Sequence, residues 1–211
     1  MPDRTGIRGR SPNSDQPRRV AVRAPSPNSI KPVTAERWRD LERLFGPQGA
    51  YSNCWCTYWR LRRRDFRALS AEKRKAALRA WVRSGAEPGL LAYRGGEPVA
   101  WCAVAPRDEY AALAASPKLK PLGDTAGVWS ITCYYVPRQH RRTGLMTALL
   151  AAAARHARRK GGRLLEGYPV IAESLSGCMG YTGLVPAYRK AGFRIVARPN
   201  RTMRVMQKAL R

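Results

Sequence analysis

Acidic residues are scarce in this chain. Asp and Glu number 14 against 40 Lys and Arg in 211 residues, a formal net charge of +26. A surface so positive suits an anionic partner, whether a nucleic acid, a phosphorylated cofactor or an acidic surface, and says nothing of the fold. After Asp124 only Glu166 and Glu173 carry a carboxylate. Long apolar runs are also missing. No run of about 18 apolar residues occurs, the length a membrane-spanning helix needs, so no membrane partner is expected. The basic N-terminus has no apolar segment behind it and lacks the pattern of a secretory signal. The five cysteines are odd in number and have no framework spacing, which predicts reduced thiols and a cytoplasmic protein. Neither G-x-x-x-x-G-K-[ST] nor G-x-G-x-x-G occurs, which excludes a Walker loop and a dinucleotide fingerprint. No internal repeat is found.

Apolar residues make up 44% of the chain, enough for the core of one medium domain. Residues 1–30 are mostly Arg, Ser, Pro, Asn and Gly, too poor in large apolar groups to offset their ordering entropy. They predict a disordered basic tail, either a solvated leader or a weak attractor of nucleic acid, ahead of a single domain over 31–211. Thr34 is placed to cap a helix bearing Trp38, Leu41, Leu44 and Phe45, ended by Gly46-Pro47. Ser70 is placed to cap a second helix, with Leu78, Trp81 and Val82 on its apolar side. Two apolar runs around Gly95-Gly96 predict a β-hairpin. A short helix is expected over 108–115. "VWSITCYYV" (128–136) is apolar on both faces except at Ser130 and Thr132 and predicts a central strand. A helix over 144–160 and the strand "RLLEGYPV" follow, and strand–helix–strand implies parallel pairing. "LVPAYRKAGF" predicts a short helix before two closing strands.

Between the central strand and its helix, Pro137 breaks the chain and Arg138, His140, Arg141 and Arg142 follow before Gly144. A helix N-terminus has N–H groups without intrahelical partners and partial positive charge, so it attracts anions. Arginines add bidentate donors there. Read locally, the hinge is either a phosphate site or a solvated basic turn.

The order of elements, with "VPRQHRRTGLMTALL" and "AYRKAGF", resembles the GNAT-type acyl-CoA N-acyltransferase superfamily over most of residues 30–211. That family's phosphate motif, [QR]-x-x-G-x-[GA], reads here as Arg141-x-x-Gly144-x-Met146, with Met146 where the family has Gly or Ala. The resemblance implies an α/β fold of the α+β type. Its mixed sheet has six or seven strands, helices flank it, and the central parallel strands splay to admit acetyl-CoA. It implies that the pantetheine arm pairs with the backbone at Cys133, Tyr134, Tyr135 and Val136. The pyrophosphate then sits on the N–H groups of Arg141, Arg142, Thr143, Gly144, Leu145 and Met146. It also implies that Tyr188, the tyrosine of Y-x-x-x-G-F, is the general acid.

Acyl transfer to an amine further requires a base and a group that stabilises the oxyanion. Glu166 lies in an apolar strand, where burial raises a carboxyl pKa toward neutrality, so it is a candidate base; the alternative is a structural carboxylate pairing an arginine. Tyr168 shares its strand face. Trp55, Tyr58, Trp59 and Glu173 are candidate acceptor-binding residues. Cys54-x-Cys56 supplies too few ligands for zinc, and a buried aromatic corner is expected instead; no metal is expected elsewhere. His140 is expected to be exposed, and His156 packed or solvated. The expectation is an acetyl-CoA-dependent N-acetyltransferase acting on a primary amine of a small molecule or protein in a ternary complex. The alternative is a non-catalytic module that binds nucleic acid or CoA. The sequence leaves monomer and homodimer both open.

Overall fold

Alternating apolar residues of the strands face two different helical layers, and this divides the molecule. Leu90, Ala92, Cys102, Val104 and Ile131 pack with Leu145, Leu149, Leu150 and Ala153, whereas Leu91, Tyr93, Trp101 and Ala103 pack with Trp38, Leu41, Phe45, Leu78 and Val82. Successive strand residues point to opposite faces, so a sheet buried on both sides lies between the layers. The structure, a computed structural model, describes residues 27, 29–171 and 179–211. Most of the predicted tail, and Glu173, lie outside the described residues.

In chain order the elements are β1 (Ser29–Pro32), α1 (Trp38–Phe45), α2 (Arg63–Ala68), α3 (Ala71–Arg83), β2 (Gly89–Arg94), β3 (Glu97–Pro106), α4 (Ala111–Ala114), β4 (Val128–Tyr135), α5 (Leu145–Arg159), β5 (Leu164–Gly167), α6 (Val185–Lys190), β6 (Arg194–Ala197) and β7 (Val205–Ala209). The seven strands form one sheet in the order β1-β2-β3-β4-β5-β7-β6. β4 and β5 pair in parallel, and every other neighbouring pair is antiparallel. The mixed sheet with a central parallel pair is therefore the observed architecture.

Local chemistry accounts for the element ends. Ser70 caps α3, its Oγ accepting from the Lys73 N–H at 3.3 Å. Thr34 departs from its expected role. Residues Ala35–Arg37 form a 3-10 turn ahead of α1, and the Thr34 hydroxyl accepts from the Arg37 guanidinium at 3.1 Å instead of capping the helix. Between α1 and α2 the chain has no regular element. Ala50, Ser52, Asn53, Trp55 and Cys56 all take left-handed backbone conformations there, with φ between 45° and 73°.

β4 carries a bulge. Ala103 stands opposite Cys133 and Val104 opposite Ile131, so Thr132 is an extra residue on β4. β5 pairs only with the first half of β4, Val128–Ile131. Beyond Gly167 the chain keeps to the β7 side, where Val170 bridges to Met203 and to Leu184. The two parallel strands therefore part at the bulge.

Candidate functional site

The parting of β4 from β5 leaves Thr132–Tyr135 bonded to β3 on one side, with no described strand on the other. A strand edge of this kind holds N–H and C=O groups that an extended ligand can pair with.

This free half of β4 runs directly into the hinge. Pro137 ends it, residues Arg138–His140 make a 3-10 turn, and α5 starts at Leu145. Arg142 (φ 62°) and Gly144 (φ 80°) are both left-handed. Left-handed residues alternating with others gather successive N–H groups into an anion-binding concavity. The helical ladder begins with Ala148 N–H to Gly144 C=O, so the N–H groups of Leu145, Met146 and Thr147 have no helical partner. Those of Arg142, Thr143 and Gly144 make no backbone hydrogen bond among the described residues. The loop is held from the side: Thr143 Oγ1 donates to the His140 carbonyl at 2.7 Å, and Arg141 Nε donates to the Val136 carbonyl at 3.0 Å. Arg141 and Arg142 are exposed, and His140, expected exposed, is half-buried. The Met146 side chain lies along the cleft wall, its sulfur 3.4 Å from where a Cβ on Gly183 would stand.

Tyr188 fills the cleft where the strands part. It is fully buried, and its ring is clasped between two glycines. A Cβ on Gly167 would meet its Cε1 at 2.3 Å and one on Gly183 its Cε2 at 2.8 Å, so neither position accepts a side chain without moving the ring. The Tyr134 hydroxyl donates to the Tyr188 hydroxyl, which donates to the Thr182 carbonyl, both at 3.3 Å. Burial pushes the Tyr188 phenol well above the usual tyrosine range, so it holds its proton. The buried Thr182 hydroxyl beside it has no partner among the described residues.

On the opposite face of the sheet, Glu166 pairs an arginine, the alternative to the role of base, and its surroundings are polar. Arg107 Nε donates to Oε1 at 3.2 Å, the Tyr168 hydroxyl donates to the same oxygen at 2.5 Å, and Gln207 Nε2 donates to Oε2 at 2.7 Å. Arg107 and Glu166 are each 3% exposed, and the Arg107 guanidinium also donates to the Leu119 carbonyl. Ser130 Oγ lies 3.0 Å from the Tyr168 hydroxyl. The arginine enters from the turn after β3 and supplies the charge that a buried carboxylate needs. The Tyr168 phenol is pushed well above its usual range, by burial first and by the Glu166 charge second.

Comparison with known proteins decides the family. The acetyltransferase (GNAT) family profile matches residues 55–169, more than half of the 211. The chain belongs to the GNAT family. An N-acetyltransferase from Staphylococcus aureus Mu50 superposes with a TM-score of 0.52 at 13% identity, over 87% of this chain and 98% of that one. A ribosomal-protein-alanine N-acetyltransferase from Brucella melitensis gives 0.52 at 18% identity, over 86% and 99%. The yncA protein of Salmonella typhimurium, whose structure holds its cofactor acetyl-CoA, gives 0.52 at 15%, over 87% and 94%. At these identities the likeness is one of fold. No curated protein matches the chain.

In this GNAT domain the predicted cofactor residues are contiguous: Cys133 to Val136 border the parting of the strands, and Arg141 to Met146 form the hinge beyond it. The predicted acceptor residues are less uniform. Trp55 is a core side chain, stacked on Trp38 at 6.3 Å and tilted against Phe45, because its left-handed backbone turns the ring inward. This corrects its expected place in a pocket wall. Trp59 is buried on the Glu166 face, in the cluster with Tyr110 and Tyr168. Tyr58 is half-buried under the Arg63 guanidinium at 3.6 Å. Cys56 sits in the aromatic corner; among the described residues no group of three or more His, Cys, Asp or Glu converges to hold a metal. His156 is packed, edge-on to Trp129. Sequence reasoning missed Arg107, the Tyr134 hydroxyl, Thr182 and the glycine clasp. Only the clasp had a signal: a glycine inside "LLEGY" marks a close approach within a strand.

Proposed function

We propose that the chain transfers an acetyl group from acetyl-CoA directly to a primary amine in a ternary complex. The observation that carries this reading is continuity. Among the described residues, the half of β4 left unpaired by β5 leads into unpartnered N–H groups at a helix N-terminus flanked by arginines. That sequence of groups matches a linear arm ending in a pyrophosphate. The residues present fit such a ligand: an orphaned buried hydroxyl on Thr182 faces no described partner, and Arg141 and Arg142 are exposed beside the hinge. The backbone of Cys133–Val136 would hold the arm, and the N–H groups of Arg142–Met146, with the Arg141 guanidinium, the phosphates.

In the reaction the neutral amine nitrogen attacks the thioester carbonyl, the C–S bond breaks, the departing sulfur takes a proton from Tyr188, and the proton that the nitrogen sheds passes through solvent to restore the phenol. Burial keeps the Tyr188 phenol protonated, and because a phenolate is a stronger base than a thiolate it gives the proton up only as the C–S bond breaks and regains one at the end of the turnover. Tyr134, donating to Tyr188, steadies the phenolate that remains. Glu166 takes the structural role in this reading. With three donors on its two oxygens it has no free face toward an ammonium, and it positions Tyr168. Glu109 is likewise tied to Arg60 at 2.6 Å, so a strongly cationic acceptor finds little counter-charge here and a neutral or acidic amine fits better. A cytoplasmic location belongs to the same proposal, because free thiols suit a reducing compartment.

The test is thiol release from acetyl-CoA against a panel of amino acids, small amines, antibiotics and peptides. Acceptor-dependent thiol release, with thermal stabilisation by acetyl-CoA, is expected. No release with any acceptor, together with salt-sensitive nucleic-acid binding that survives deletion of residues 1–30, would replace this reading by that of a non-catalytic module.

A further inference from the structure

Three thiols cluster where the left-handed segment meets the free half of β4, and the reaction above uses none of their sulfurs. Cys54 and Cys56 lie on the segment and Cys133 on the strand, all free. The Cys56 thiol donates to Cys133 Sγ at 3.4 Å and accepts the Trp101 indole N–H at 3.1 Å. These contacts fix both sulfurs and aim one at the other across 77 residues of sequence. Cys133 is half-exposed, so an oxidant reaches it first; Cys56 is buried behind it. A disulfide requires sulfurs at about 2.05 Å, so the pair is roughly 1.4 Å short of bonding. Closing that distance requires the segment to shift toward β4. Cys56 and four residues before it hold left-handed conformations that L residues adopt only under constraint, so this is the strained side of the pair.

We propose that Cys56 and Cys133 form a reversible disulfide under hydrogen peroxide, and that this bridge impairs acetyl-CoA use at β4. The second clause rests on the function proposed above; the first does not. The Cys133 thiolate attacks peroxide, giving its sulfenic acid and hydroxide, which takes up the proton that Cys133 lost. Cys56 sulfur then attacks the sulfenic sulfur and expels hydroxide, which leaves as water with the Cys56 proton. In sum, two thiols and one peroxide give one disulfide and two waters. The Cys56 thiol is held well above the usual range, by the hydrogen bond it gives Cys133 first and by burial second, which fits the role of resolving thiol that keeps its proton until the second step. Drawing the sulfurs together displaces the strand residues that would pair with the acetyl-CoA arm. A displacement near 1 Å at such a site lowers turnover by up to ~10²-fold.

The experiment treats the full-length protein with hydrogen peroxide and maps its peptides without reduction. A Cys56–Cys133 cross-linked peptide, lost on adding dithiothreitol, is expected. So is a turnover drop of at least ~10-fold that dithiothreitol reverses. In Cys56→Ser the cross-link is absent, and the Cys133 sulfenic acid, now without a resolving thiol, is trapped by dimedone. If Cys56→Ser does not fold, the wild-type peptide map and its reversal decide alone. A bridge to Cys54 or Cys102, or oxidation without any bridge, overturns the proposal. The cross-link is read whether or not the protein binds acetyl-CoA. A bridge without acetyl-CoA-dependent activity therefore refutes only the function, and binding without a bridge refutes only the dithiol.

Discussion

The two halves of β4 have the same neighbour on one side and opposite fates on the other. Val128–Ile131 are closed by β5, and beside them the Ser130, Tyr168, Glu166, Arg107 and Gln207 side chains form one buried polar network. Thr132–Tyr135 stay open among the described residues, and beside them stand Tyr188, Thr182 and an N-terminal turn whose N–H groups have no described backbone partner. The first half satisfies its polar groups internally and so favours one packed state. The second leaves them unsatisfied at the place where an extended anionic ligand would satisfy them. Perturbing the closed half should therefore change stability, and perturbing the open half should change binding and turnover.

Arg107→Ala should show the largest effect. It leaves the Glu166 carboxylate buried with only neutral donors, and removing one partner of a buried ion pair costs about 3–5 kcal/mol. Urea unfolding measures it, and a loss under about 1 kcal/mol would mean the pair behaves like a surface ion pair. Adding Glu166→Gln to Arg107→Ala should recover part of the loss, because the uncompensated charge is gone. Tyr188→Phe should act chiefly on turnover. Its ring packing survives and only the two hydroxyl hydrogen bonds go, so stability falls by about 1–3 kcal/mol, while turnover falls about 10²-fold and acetyl-CoA affinity holds. Unchanged turnover would remove Tyr188 from the role of acid.

Gly167→Ala tests the boundary between the halves. The added methyl would overlap the Tyr188 ring, so overpacking of about 1–3 kcal/mol is expected together with a loss of turnover. A variant that loses stability and keeps full turnover would show that the ring does not need its present seat.

The closed half and the open half were unequally legible in the sequence. The apolar faces of "VWSITCYYV", the Gly95-Gly96 turn, the cap at Ser70 and the strand–helix–strand order follow from local rules, and the sheet obeys them. The hinge was legible because one short stretch carries a strand break, a glycine and a helix start together. The Glu166 network was not. Arg107 is 59 residues away in sequence and one of 40 bases, and nothing local marks it as the one that is buried. Trp55 carried two readings, an acceptor contact and part of a buried aromatic corner, and only its left-handed backbone and its stacking on Trp38 show the ring in the core.

Arg141→Ala should have the smallest effect and divides the open half most finely. Its guanidinium is exposed and clamps the Val136 carbonyl at the end of the free strand, so it touches both the strand and the hinge. Stability should be unaltered within about 0.5 kcal/mol, as for other surface changes. The acetyl-CoA dissociation constant should rise about tenfold, roughly 1.4 kcal/mol, as measured by calorimetry at low salt. Raising the salt screens an exposed charge, so the ratio of variant to wild type should shrink toward one if charge is the whole effect. Arg141→Lys separates the two contributions. It keeps the charge but lacks the planar fork that reaches the Val136 carbonyl, so affinity restored by lysine assigns Arg141 to charge alone. A lysine variant as weak as alanine would mean that holding the end of β4 in place is what Arg141 contributes.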